Sequence, residues 1–221
     1  MSQELWEKVD DYINSVVIAP DAALEAAADS AVKAQLPPVS VTPAQGKLLH
    51  LMARSLGAQR ILEIGTLAGY STIWLARALP SHGRLITIEA NPAHADIARV
   101  NIEGAALSDR VEIRLGKALD VLPQIAAEQQ PPFDFVFIDA DRTGLAGYFD
   151  WAVKLSHPGS VIIVDNVVRK GGVIDASSDN VDVKGVRRFN DRLKTDARVD
   201  VTMMQTVGAK GHDGFAMALV R

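Results

Sequence analysis

The stretch RILEIGTLAGYSTIWLARALPSHGRLITIEANP, Arg60 to Pro92, decides the fold. A short apolar run, RILEIG, ends in a glycine-bearing turn. A helical stretch follows, and a second apolar run, RLITIE, closes on a lone acid, Glu89. Strand, helix and strand in that order make one crossover unit of a parallel sheet. In such sheets ligands sit beyond the carboxyl ends of the strands. Gly65 lets the backbone turn there without a Cβ in the way. Gly69 opens the next helix, where ligand atoms can approach free N–H groups. Glu89, ending the next strand, stands where an acid accepts hydrogen bonds from ribose hydroxyls. The stretch therefore reads as a nucleoside site. The plainer alternative is that both glycines only serve a tight turn.

The nucleoside is not a dinucleotide by this pattern. The dinucleotide fingerprint places a glycine two positions after the first, and this chain has Leu67 there, which would crowd a pyrophosphate. Glu63, two before Gly65, would repel one. Glu63 can instead pair with the ammonium of an amino-acid tail, directly or through water. A ligand with adenine and ribose at one end and a cationic, phosphate-free part at the other fits, as in S-adenosylmethionine.

Working outward, the alternation continues. Apolar runs RVEIRLG, FDFVFIDA and SVIIVDN are separated by helical stretches. The runs are rich in Ile, Val and Leu with little alternation, as expected of strands covered on both faces. RVDVTMMQTV and GFAMALVR, joined by GAKGHD, read as an antiparallel hairpin at the end of the sheet. Between Asn166 and a helix expected from Val186, the polar run VVRKGGVIDASSDNVDVKG reads as a loop. Upstream, residues 1–35 read as two helices, the second capped by Asp21, and LPPVSVTP (Leu36–Pro43) as a linker. Thr42 followed by Pro43 starts a third helix. Residues 1–40 are thus expected to form a helical cap or dimerisation segment, and 41–221 the catalytic domain.

Bulk properties agree with small-molecule chemistry. The 221 residues are 48% hydrophobic and 23% charged, with a net charge of −4, so no basic face for nucleic acid is expected. With no cysteine, disulfides, thiolate metal sites and a cysteine nucleophile are excluded. The start is acidic and amphipathic, unlike a signal peptide, and no run is long enough to span a membrane. A cytoplasmic protein is expected.

Two further strand ends carry oxygen donors. FDFVFIDADRTG supplies Asp139 and Asp141; SVIIVDNVV supplies Asp165 and Asn166. Asp139, Asp165 and Asn166 together offer two carboxylates and an amide oxygen, a hard set suited to Mg²⁺ or Ca²⁺. The alternative is that these residues cap the turns that follow.

With these motifs in view, the chain resembles the metal-dependent class I O-methyltransferases of the catechol and caffeoyl-CoA type, bacterial in style, over roughly Val41–Arg221. The similarity rests on VTPAQGKLL, ILEIGTLAGYSTIWLA, LITIEANP, FIDADR and VDNVV. The resemblance implies a doubly wound, Rossmann-like α/β fold: a seven-stranded, mainly parallel sheet with an antiparallel C-terminal hairpin. It implies cofactor contacts from Val41, Glu63, Gly65, Tyr70, Ser71, Glu89 and Ala118, with Asp139 at the same edge. It implies a divalent ion, usually Mg²⁺, on Asp139, Asp165 and Asn166, and a vicinal diol such as a catechol as acceptor. A homodimer is expected, the amphipathic first helices covering the site or forming the dimer face. One position departs. Where the family usually carries a lysine base, three after the first metal aspartate, this chain has Arg142. A guanidinium stays protonated, so Arg142 cannot act as general base; it can hold a phenolate. Lys170 and His212 lie on loops that could reach the site, or are surface residues. A metal-independent methyltransferase and a catalytically silent cofactor-binding homologue remain the alternatives.

Overall fold

The computed structural model describes residues 2–221. Three helices come first: α1 (Gln3–Val17), α2 (Ala22–Lys33) and α3 (Pro43–Ser55). The caps read from sequence are present. The Asp21 carboxylate accepts from the Ala23 and Leu24 amides, and the Thr42 hydroxyl from that of Gln45. Then β1 (Arg60–Ile64), α4 (Tyr70–Ala76), β2 (Arg84–Glu89), α5 (Pro92–Gly104), β3 (Val111–Leu115), α6 (Ala118–Ala127), β4 (Phe133–Ile138), α7 (Leu145–Lys154) and β5 (Ser156–Asp165) alternate. A short 3₁₀ segment (Arg169–Ile174), α8 (Val181–Leu193), β6 (Val199–Gly208) and β7 (Gly211–Val220) complete the chain.

The seven strands form one sheet in the order β3-β2-β1-β4-β5-β7-β6. β1 to β5 run parallel; β7 pairs antiparallel with both β5 and β6. Order reverses between β1 and β4, the switch point where such sheets open a crevice. Successive strand residues serve opposite cores. Leu62, Ile64, Val136 and Ile138 pack against α6, α7 and α8 through Leu122, Phe149 and Phe189. Ile61, Phe135 and Phe137 pack against α3, α4 and α5 through Leu49, Ile73 and Ile102. Burial on both faces explains the unbroken apolar runs.

The segment after Asn166 differs from the expected loop. It forms the 3₁₀ turn, and α8 begins five residues early because the Asn180 side chain caps it, accepting from the Asp182 and Val183 amides. Gly185 within α8 allows close approach: a Cβ there would lie 2.3 Å from the Arg142 carbonyl oxygen. The hairpin turn is also tighter than expected, with only Ala209 and Lys210 between the paired Gly208 and Gly211.

The N-terminal helices hold to the rest unequally. α2 buries Leu24 and Ala27 in the core, and Asp21 pairs with Arg77 at 2.6 Å. α1 buries no residue, and Leu5, Val9, Tyr12, Ile13, Val16 and Val17 are exposed along it. Its polar side meets the hairpin: Gln3 Nε2 donates to the Ala209 carbonyl at 2.9 Å, and Asp10 accepts from the Ala209 amide at 2.7 Å. No helix among the described residues is long and apolar enough to cross a membrane.

Candidate active site

A cavity of about 970 Å³ opens at the carboxyl ends of β1, β2 and β4. Its wall carries Val41, Gly65, Tyr70, Ser71, Glu89, Ala118, Asp139 and Arg142, drawn from both the nucleoside and the oxygen-donor motifs. The turn after β1 is shaped by close backbone packing. Gly65 has φ +100°, and a Cβ there would sit 2.2 Å from the Asp139 carbonyl oxygen. Gly69 caps α4 in the left-handed region with φ +81°. Leu67, also left-handed at φ 50°, faces the cavity where a glycine-rich phosphate loop would need open backbone.

Glu89 is built into this turn. Its Oε2 accepts from the Leu67 amide at 2.8 Å and from the Thr66 amide at 3.2 Å; its Oε1 accepts from the Asn91 amide at 2.9 Å. Those bonds fix the carboxylate and use about three of its roughly four acceptor directions. It could still accept from a ribose hydroxyl through Oε1, on the cavity side near His94.

Glu63 lies behind the cavity wall. It is fully buried and not on the cavity wall. Hydroxyls of Ser71 (2.6 Å), Thr72 (2.5 Å) and Thr87 (2.7 Å) donate to its two oxygens. Burial pushes its carboxyl up to about 7, against the three hydroxyl bonds, which pull it down. Ser71, which lines the cavity, donates to Glu63 and links the acid to the cavity side. The sequence shows an acid before the glycine, but the threonines that enclose it come from α4 and β2.

The oxygen donors meet at the end of β4 and β5, and Arg142 joins them. Arg142 Nη2 donates to Asp139 Oδ1 at 3.1 Å and to Asn166 Oδ1, while Nη1 donates to the Ala140 carbonyl. The Arg142 and Asp139 side chains are only 13% and 18% exposed. Asp165 lies deeper. Its Oδ1 accepts from the Asn166 amide at 2.8 Å and its Oδ2 from Gln45 Nε2 at 2.6 Å. Burial first, then the Asp139 charge, push the Asp165 carboxyl up to about 7. Asn166 is held with φ 61°, and Asp213 of β7 accepts from the Val168 and Arg169 amides just beyond it. Two carboxylates and an amide oxygen this close, with the acids repelling each other, suit a hard divalent cation.

Two contributors escaped the sequence reading. Gln45 reaches Asp165 from α3, 120 positions away. Lys210, in the hairpin turn, donates to the Val39 carbonyl at 2.7 Å and to that of Ser40, tying the hairpin to linker residues that line the cavity. Desolvation lowers its pKa, although Asp139 and Asp165 pull the other way. Neither is visible without the fold. Lys170 is exposed, and His212 contacts Gln205; neither lines the cavity. Tyr148 does line it, but its hydroxyl donates to Asp141. Asp141 in turn accepts from the Thr143 hydroxyl and the Gly144 amide, so it organises the loop and is not part of the cation cluster.

A model of the O-methyltransferase family matches residues 15–219. The chain belongs to the O-methyltransferase family. Among similar proteins, this O-methyltransferase is 50% identical to a catechol O-methyltransferase of Niastella koreensis, with both chains covered in full. It is 48% identical to a catechol O-methyltransferase of Mycobacterium tuberculosis, over 96% of this chain and 95% of that one. Two solved structures share the fold closely. An O-methyltransferase from Bacillus cereus in complex with SAH has a TM-score of 0.98 at 55% identity, with full coverage of both chains. TomG from Streptomyces achromogenes, an O-methyltransferase in complex with SAM, has 0.96 at 49%, covering 100% of this chain and 99% of that one. The O-methyltransferase fold read from the sequence, with its reversed C-terminal hairpin, is thus the fold this chain has.

Proposed function

We propose that this O-methyltransferase moves the methyl group of S-adenosylmethionine to one hydroxyl of a small catechol-like diol, with a divalent ion held by Asp139, Asp165 and Asn166. The all-oxygen donor set suits a hard divalent ion such as Mg²⁺. The carrying observation is the shared wall: the Glu89 turn and the Asp139–Arg142 cluster border one cavity. A nucleoside at one end would bring its reactive end toward oxygen donors at the other. The solved relatives with SAM and SAH bound support the cofactor, and the relatives named catechol O-methyltransferase support the acceptor.

When bound, S-adenosylmethionine supplies a methyl group on a positive sulfur, and the ion supplies charge that makes a nearby hydroxyl more acidic. The chain's residues do the rest. Glu89 would hold the ribose end, and the turn after β1 lines the same cavity through Gly65, Thr66 and Leu67. Ser71, whose hydroxyl donates to Glu63, lines the cavity with Tyr70 and Ala118 and would meet the cofactor there. Arg142, on the same cavity wall, would offer the acceptor oxygen a charge it never loses. Methyl transfer from a sulfonium would need an aligned, anionic acceptor, with the hydroxyl's proton passing to solvent. Arg142 stabilises that anion and takes no proton.

We also propose a homodimer in the cytoplasm. The exposed apolar side of α1 is the proposed dimer face within a 1–40 cap segment, and the cysteine-free chain suits a reducing compartment. One observation favours the metal-independent alternative: Arg142 already neutralises part of the cluster.

The test is product analysis by mass spectrometry over paired acceptors, each catechol beside its single-hydroxyl analogue. Methylation of the diol with little on the analogue is the expected result. Equal turnover of both would remove the need for two adjacent oxygens. S-Adenosylhomocysteine binding without turnover of any acceptor would favour a silent homologue.

A further inference from the structure

Arg142 does more than line the cavity. Its guanidinium spans three acceptors at once: Asp139 Oδ1, Asn166 Oδ1 and the Ala140 carbonyl. The first two belong to side chains assigned above to the divalent ion. An oxygen that accepts from a guanidinium at hydrogen-bond distance cannot direct the same lone pair to a cation at ~2.1 Å. We propose that Arg142 is a resident cation of the Asp139–Asp165–Asn166 cluster and competes with a divalent ion for Asp139 and Asn166. The inference rests on the metal site of the proposed function.

The surroundings confine the competition to the side chain. The Arg142 carbonyl packs against Gly185 so tightly that a Cβ would come within 2.3 Å. The following residues are tied down, with the Thr143 hydroxyl and the Gly144 amide donating to Asp141. The backbone at 142 therefore stays while the guanidinium swings between the cluster and the cavity. In the first position it neutralises Asp139 beside the buried Asp165. In the second, the ion takes the cluster and Arg142 is free to face the acceptor. Because guanidinium does not deprotonate, this exchange depends on metal concentration and not on the titration of Arg142. A lysine there has one point charge on a narrower head and lacks the planar fork that reaches Asp139, Asn166 and the main chain together.

The test is Mn²⁺ binding, read by electron paramagnetic resonance, to the full-length wild type, Arg142→Ala and Arg142→Lys. S-Adenosylhomocysteine affinity and a thermal melt check that each variant keeps its fold. Removing a charge-assisted bond to two ligands should tighten Mn²⁺ by at least about tenfold in Arg142→Ala, with Arg142→Lys between it and the wild type. Equal Mn²⁺ affinity in wild type and Arg142→Ala overturns the competition while leaving the metal site standing. Weaker binding in Arg142→Ala overturns it too, since Arg142 would then support the ion. No Mn²⁺ binding by any of the three, with S-adenosylhomocysteine still bound, overturns the metal site and this inference together. Should Arg142→Ala not fold, Arg142→Lys decides by the same comparison with the wild type.

Discussion

Glu63→Gln tests the buried acid behind the cofactor wall. Glu63 is fully buried, and its carboxyl is raised from 4.5 to about 7 by burial. A carboxyl whose folded pKa lies above its unfolded one binds its proton more tightly in the native state. Its contribution to stability is complete below pH 4.5 and is lost as pH rises through about 7. That gap is worth roughly 3 kcal/mol. The amide of the variant cannot ionise, and the Ser71, Thr72 and Thr87 hydroxyls can turn to meet it. The assay is urea unfolding of both proteins from pH 5 to pH 8, taking the difference at each pH so that all other titrations cancel. The stability of the wild type relative to Glu63→Gln should fall by roughly 3 kcal/mol across that range. A difference that does not change with pH would refute the reasoning, showing that the three hydroxyls hold the charged form as well as water does. Glu63→Ala separates packing from charge. It strands the buried Thr72 hydroxyl at every pH, at a cost of roughly 1–3 kcal/mol, and loosens Ser71, so S-adenosylhomocysteine binding should weaken as well.

Other predictions follow from single contacts. Gly65→Ala adds a Cβ 2.2 Å from the Asp139 carbonyl oxygen at φ +100°; the strain alone costs roughly 1–3 kcal/mol, and the melt should drop together with cofactor affinity. Gly185→Ala pushes on the Arg142 carbonyl from α8; kcat should fall while S-adenosylhomocysteine affinity, measured calorimetrically, stays near that of the wild type. Lys210→Met releases the Val39 and Ser40 carbonyls, so steady-state kinetics should show KM for the acceptor rising more than that for S-adenosylmethionine. His157 has a raised pKa from its bond to Asp134 at 2.9 Å. Its contribution is present below pH 6.5 and lost as pH rises through the folded value. Because the pair is partly exposed, His157→Ala should cost no more than ~1 kcal/mol at pH 5.5 and almost nothing at pH 9, by denaturant titration.

What could be read in advance was what is local. Gly65, Glu89 and Asp139 are legible because strand ends and glycine turns are written in a few adjacent residues, and a parallel sheet brings those ends to one edge. Thr42 and Asp21 announced their helices by the chemistry of their own side chains. Contacts between distant segments were not legible. Glu63 is legible as an acid beside the turn, but that Thr72 and Thr87 donate to it is not. Gln45 and Lys210 meet the site only because α3 and the last hairpin fold back over it. Arg142 could be read as unable to act as a base, from guanidinium chemistry alone. That it grips Asp139 and Asn166 depends on a side-chain direction which no spacing records. The run after Asn166 reads as a loop because its turn formers outweigh the single capping residue, Asn180, that starts α8.

The most direct measurement is methyl transfer from labelled S-adenosylmethionine to a catechol, with Mg²⁺, with EDTA, and with Mg²⁺ restored. Methylated catechol that disappears in EDTA and returns with the ion is the expected result, and it would join the Glu89 turn and the Asp139–Asp165–Asn166 cluster in one reaction. Turnover that continues undiminished in EDTA would contradict the metal-held diol and leave Arg142 as the cation that serves the acceptor.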